Sequence, residues 1–149
     1  MKYKVLTPQA DNLMESTRSI GYSLQSAIAD IVDNSIAAKA KNVYIQFPRC
    51  NHEYLSILDD GMGMTFDELL VAMMYGSKPI SLAREDSDLG RFGLGLKMAS
   101  LSQCRSLTVI SKKNGNYSCA TWDLDFIKYN KNWTIQLPSL EEIGQFCEI

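Results

Sequence analysis

Residues Gly90 to Lys97, Gly-Arg-Phe-Gly-Leu-Gly-Leu-Lys, set three glycines just ahead of a helical stretch and a lysine inside its first turns. Glycine lets a backbone take φ > 0 and come close to another group. The first N–H groups of a helix have no partner within it. A chain built this way offers backbone donors and the positive end of a helix dipole at one point, where anions such as phosphate bind. Gly90, Arg91, Phe92, Gly93, Leu94 and Gly95 are the candidate phosphate-binding residues, with Lys97 as a point charge. The spacing is neither the Walker pattern nor the Rossmann G-x-G-x-x-G pattern. Taken alone, the segment also fits a flexible glycine hinge. The stretch 76–95 before the helix is rich in Gly, Ser and charge and reads as a long loop. Loops of that length in compact domains are functional lids or disordered segments. Lys78 and Arg84 lie in it and add positive charge if it closes.

Two further motifs precede it. Asp30-Ile-Val-Asp-Asn34 lies in a pattern that predicts a helix over 23–38, with Ser23 as N-cap and Leu24, Ala27, Ile28, Ile31 and Ser35 along one face. Asp30 and Asn34 are four apart and share a face. An amide oxygen suits Mg²⁺, which takes few protein oxygens beside phosphate and water, and a nearby carboxylate can orient or deprotonate a water. Alone, the pair reads more readily as a solvated polar face. Asp59-Asp60-Gly61-Met62-Gly63 follows an apolar strand, where a turn is expected. Its glycines permit close backbone approach, and a carboxylate at the strand end can accept from an exocyclic amino group such as that of adenine. An ordinary Asp-Gly turn is an equal reading.

The remaining pattern predicts a short helix within 8–18, strands over 42–47 and 54–58, a helix over 65–75 opened by a Thr65/Glu68 capping box, and a helix from 93–95 to 102. Strands follow over 106–111, 117–123 and 133–137, with Asn114-Gly115 as a hairpin turn. Helices combined with late sequential strands imply an α+β fold. A chain of 149 residues, 46% hydrophobic and 21% charged, has the size and composition of one domain. The net charge of −2 shows no basic field for nucleic acid. Four cysteines without a C-x-x-C pair, and one histidine (His52, in a polar turn), argue against zinc. Met62, Met64, Met73 and Met74 read as core or pocket filling, and Trp122 and Trp133 as strand packing. Without an apolar signal core or a membrane-length segment, a cytoplasmic location away from membranes is the default expectation.

Taken in order, the motifs resemble those of the GHKL ATPases, the superfamily of gyrase, heat-shock chaperones, histidine kinases and MutL. "AIADIVDNSIAA" is similar to its asparagine box, "DDGMGM" to its first glycine box and "GRFGLGLK" to its second. The flavour is that of the MutL- and MORC-like branch. The resemblance implies a Bergerat-type two-layer α/β sandwich with helices on one face of a mixed sheet. It implies ATP and Mg²⁺ as ligands, with Asn34 on the metal, Asp59 on the adenine amino group, Gly61 and Gly63 at the base pocket, and 76–92 as the ATP lid carrying Lys78. Residues 1–149 then form a single ATP-binding domain, the N-terminal part of a longer protein. A following transducer or effector domain, which supplies a γ-phosphate lysine in relatives, and an ATP-dependent homodimer are the implied partners.

Where most hydrolysing relatives carry Glu, this chain has Asp30. Its carboxylate is retracted by roughly an ångström, a displacement that can cost on the order of a hundredfold in rate. The expected activity is slow Mg-dependent ATP hydrolysis driving a conformational or dimerisation switch. Two alternatives stand beside it: a small protein kinase of the anti-sigma-factor or histidine-kinase type, which the chain length suits but the motif flavour and the lack of a phosphoacceptor helix do not, and a non-catalytic nucleotide sensor.

Overall fold

The computed structural model describes residues 2–19, 21–48, 54–75 and 95–144, apart from the side chain of Ile143. The candidate residues Lys78, Arg84, Gly90, Arg91, Phe92, Gly93 and Leu94, the proposed lid, His52, Cys50 and Cys147 lie outside them.

Local chemistry explains most element boundaries. Helix α1 spans Ala10–Arg18 and α2 spans Leu24–Ala37, where the Ser23 side chain accepts from the Ser26 N–H as the N-cap. Strands β1 (Val43–Gln46) and β2 (Ser56–Asp59) form an antiparallel pair, Val43 opposite Asp59. Helix α3 (Phe66–Met73) opens on the expected capping box. The Thr65 hydroxyl accepts from the Glu68 N–H, and the Glu68 carboxylate accepts from the Thr65 N–H. Helix α4 runs Gly95–Gln103. Strands β3 (Ser106–Lys113) and β4 (Asn116–Asp123) pair antiparallel across Asn114-Gly115. Both turn residues have positive φ, 53° and 79°, as the two-residue hairpin turn that matches strand twist requires. Two short helices follow, α5 (Leu124–Asn130) and α6 (Leu140–Gly144).

Both strand pairings among the described residues are antiparallel. The expected strand at 133–137 reduces to one bridge, Thr121 to Gln136. The Thr134 N–H bonds locally to the Asn132 carbonyl, while Trp133 and Ile135 pack against the core. Helix α5 was not anticipated. The Asp123 carboxylate caps it by accepting from the N–H groups of Asp125 and Phe126, and Leu124 and Ile127 are buried along it.

The core lies where one face of the β3–β4 hairpin meets the helices. Ala120 and Trp122 join Met14 of α1, Leu69 and Met73 of α3, Leu101 of α4 and Ile127 of α5, with Leu107 and Val109 packed alongside. The Trp122 indole N–H donates to the Met73 carbonyl at 2.8 Å, and the rings of Tyr75, Trp122 and Trp133 stack edge-on or tilted. Met73 and Met64 fill the core as expected, whereas Met62 and Met74 are exposed. On α2, Ala27 and Ser35 are buried, but Leu24, expected on that face, is exposed. No helix among the described residues is long and apolar enough to cross a membrane.

The capping box is tied to the hairpin, because Lys113 Nζ donates to both Glu68 carboxylate oxygens, at 2.9 and 2.8 Å. This bond, with the Thr65 N–H, pushes the Glu68 carboxyl down from 4.5 to about 2. A carboxylate with a depressed folded-state pKa contributes stability above the unfolded value and loses it as pH falls through the folded one. Chemical denaturation midpoints should therefore fall as pH drops from about 4.5 toward about 2. In Lys113→Met that slope should flatten. An identical slope in the variant would assign the acid sensitivity elsewhere.

Candidate functional site

Helix α2 carries Asp30 and Asn34 on one side and reaches the Asp59 turn through its buried Ser35. The Ser35 hydroxyl donates to Asp59 Oδ2 at 2.9 Å, and the Gly61 N–H donates to Oδ1 at 2.9 Å. Both carboxylate oxygens of Asp59 are thereby held, and each keeps a further lone pair. The neighbouring Asp60 does a different job. It accepts from the backbone N–H groups of Lys41 and Asn42 and from the Asn42 amide. Those bonds hold its carboxyl below the usual range, the Asn42 backbone bond foremost. Asp60 thus closes the turn into β1 and Asp59 is left to face outward.

The glycines are set by packing. A Cβ on Gly61 would lie 2.9 Å from both the Ala38 Cβ and Asp59 Oδ1. A Cβ on Gly63, whose φ is +64°, would lie 2.0 Å from the Lys112 carbonyl oxygen. The Met62 N–H donates to the Ala38 carbonyl, and the Met64 N–H to the Ser111 hydroxyl at 2.7 Å. The turn is therefore pinned between the end of α2 and the end of β3.

Asp30 is half-buried, and its Oδ2 accepts from the Tyr22 hydroxyl at 2.8 Å. That bond, first among the causes, raises the Tyr22 phenol above its ordinary value. The Tyr22 carbonyl accepts from the Gln103 amide at the end of α4, which packs on α2. Among the described residues no side chain bonds the Asn34 amide. Sequence reasoning placed Ser35 only as a face residue and gave Tyr22 no part in the site. The hydroxyl of Ser35 on a buried helix face was the available signal, whereas Tyr22 carried none.

Gly95 begins α4, and among the described residues nothing lies within 4 Å of its Cβ position. Lys97 is buried at 1% exposure. Its ammonium donates to the Ala72 carbonyl near the end of α3 at 2.5 Å and stands 5.9 Å from the centre of the Tyr75 ring. Burial pushes its pKa down to about 8. The described geometry thus ties Asp59 and Gly61 to α2, the helix that carries Asp30 and Asn34, sets Gly63 against the end of β3, and turns Lys97 toward α3.

A family of histidine kinase-, DNA gyrase B- and HSP90-like ATPases matches residues 22–149. The chain belongs to the GHKL ATPases. Its relatives within them include ATPase morc-1 of Caenorhabditis elegans, 35% identical over 116 residues, which cover 76% of this chain and 13% of that protein. DNA mismatch repair protein MutL of Buchnera aphidicola is 29% identical over 122 residues, 80% of this chain and 20% of that protein. MutL of Pasteurella multocida is 31% identical over 114 residues, 75% and 18%. These place the chain in the MutL/MORC-like branch of GHKL domains, an ATP-binding α+β fold. The chain spans a fifth or less of the length of these relatives.

Proposed function

We propose that this GHKL domain binds MgATP and hydrolyses it slowly, and that binding drives a conformational or dimerisation switch in the protein that carries it. The observation that carries the reading is the pair of hydrogen bonds that orient Asp59 from α2 and from its own turn. An aspartate held by two donors is a prepared acceptor for the amino group of adenine. Gly61 and Gly63 keep the turn tight beneath it.

The residues also fit the metal. Asn34 offers an amide oxygen, and the described residues gather no group of three His, Cys, Asp or Glu. That suits an ion held chiefly by phosphate and water with a single protein oxygen. When bound, Mg²⁺ neutralises phosphate charge. The protein's own part in the reaction falls to Asp30. Its Oδ1, which accepts no hydrogen bond among the described residues, takes a proton from a water. The water oxygen bonds the γ-phosphorus as the bond to the bridging oxygen breaks, and that electron pair leaves on ADP. Phosphate departs with the water's other proton, and Asp30 returns its proton to solvent. Lys78, Gly90, Arg91, Phe92, Gly93, Leu94, Gly95 and Lys97 are proposed for the phosphate side and the lid. Lys97 would have to exchange its Ala72 bond for that role.

Asp30→Asn should lower steady-state hydrolysis by the full natural chain about 10²–10⁴-fold, the range that general-base catalysis contributes, while leaving ATP affinity within a few-fold. An unchanged rate would remove Asp30 from the reaction. A second reading, a nucleotide sensor without turnover, is favoured by the short Asp30 side chain. Saturable ATP binding without phosphate release would select it. The switch is tested by limited proteolysis, and ATP that leaves the cleavage pattern of residues 76–92 unaltered would count against it.

A further inference from the structure

We propose that Tyr22 is a positioning residue for the ATPase reaction, fixing the Asp30 carboxylate so that a side chain one methylene shorter than glutamate still serves as base. The inference rests on the reading of Asp30 as that base.

Three observations meet at Tyr22. Its hydroxyl donates to Asp30 Oδ2 at 2.8 Å, across eight positions in sequence. An aspartate on a helix face rotates about two side-chain torsions, and one charged hydrogen bond to a single oxygen removes most of that freedom. The bond engages Oδ2, while Oδ1 accepts no hydrogen bond among the described residues. The donor is itself held. Tyr22 sits directly before the N-cap Ser23, whose hydroxyl accepts from the Ser26 N–H at 3.1 Å. The Gln103 amide donates to the Tyr22 carbonyl at 2.9 Å from the last residue of α4. Tyr22 therefore couples the start of α2 to the end of α4, the helix that begins at Gly95. The carboxylate that takes the water proton is oriented by a residue tied through Gln103 to the glycine-motif helix.

Alignment errors of about an ångström cost on the order of a hundredfold in rate, so a bond that fixes the carboxylate should raise turnover.

The test is steady-state ATP hydrolysis and calorimetric ATP binding in the full natural chain, with Tyr22→Phe, Asp30→Asn and the double variant. Phe keeps the ring and removes the hydroxyl. Tyr22→Phe should lower kcat about tenfold to a hundredfold with the dissociation constant for ATP unchanged, and the double variant should be no slower than Asp30→Asn alone, since the phenol acts through that carboxylate. A kcat for Tyr22→Phe equal to that of the natural protein, with Asp30→Asn inactive, would overturn the role of Tyr22 and leave Asp30 in place. A loss of binding and kcat together would show Tyr22 to be a structural residue and overturn it equally. If Asp30→Asn hydrolyses ATP at the original rate, the reading of Asp30 fails first and the proposal with it. A further rate loss in the double variant would show that the hydroxyl works elsewhere.

Discussion

Asp59→Asn should weaken ATP binding roughly a hundredfold, read by calorimetric titration with Mg²⁺, without lowering the melting temperature. Asp59 is an acceptor on both oxygens, one engaged by Ser35 and the other by the Gly61 N–H. An asparagine side chain replaces one acceptor with an NH₂ donor. Turned one way, the amide sets that donor against the Gly61 N–H. Turned the other way, it stands at the Ser35 position, and a single oxygen is left for both the backbone and the adenine amino group. A site built to hydrogen-bond its ligand loses more than the bond itself when its polar groups are left unpaired. Stability changes little because the side chain is exposed. Ser35→Ala, which keeps the carboxylate but frees Oδ2, should cost less, about tenfold in affinity. ATP bound equally well by Asp59→Asn would detach Asp59 from the base.

Among the described glycines, Gly63→Ala should be the most destabilising, by about 4 kcal/mol in denaturant unfolding. Two effects add. The φ of +64° is a region an L-alanine occupies at a cost of about 1 kcal/mol. The added Cβ would stand 2.0 Å from the Lys112 carbonyl oxygen, a backbone atom that cannot step aside without opening the end of the β3–β4 hairpin. Relief would pull Met64 from the Ser111 hydroxyl and shift the Thr65 cap that follows it. Gly115→Ala is the control. Its φ of +79° is as unfavourable, but among the described residues nothing lies within 4 Å of the added methyl, so only the conformational cost of about 1 kcal/mol should appear. Equal losses at the two positions would mean that the close approach at Gly63 relaxes freely.

These two positions show how the site divides between local and distant chemistry. Ser23 capping Ser26, Thr65 boxed with Glu68 and the Asn114-Gly115 turn each join groups at most three residues apart. Such pairs are written in short stretches of chain, and α2, α3 and the β3–β4 hairpin were legible for that reason. The capping of α5 by Asp123 is as local, yet it was hidden behind the strand pattern that runs into it. The 133–137 segment alternates like a strand, but its backbone bonds partly within itself, and periodicity does not report which partner an N–H takes.

By itself the sequence determined the three motifs, their order, the α+β class and the GHKL family, because each depends on residue type at fixed spacing. Only the tertiary structure decided what each motif residue touches. Ser35 reaches Asp59 across 24 positions, Met64 reaches Ser111 across 47, and Gln103 reaches Tyr22 across 81. It separated Asp59, facing outward, from Asp60, spent on the Asn42 turn. It also buried Lys97 against Ala72 and Tyr75. Hydrogen bonds and burial between distant segments depend on how α2, α4 and the hairpin pack in three dimensions, and no spacing along the chain encodes that packing.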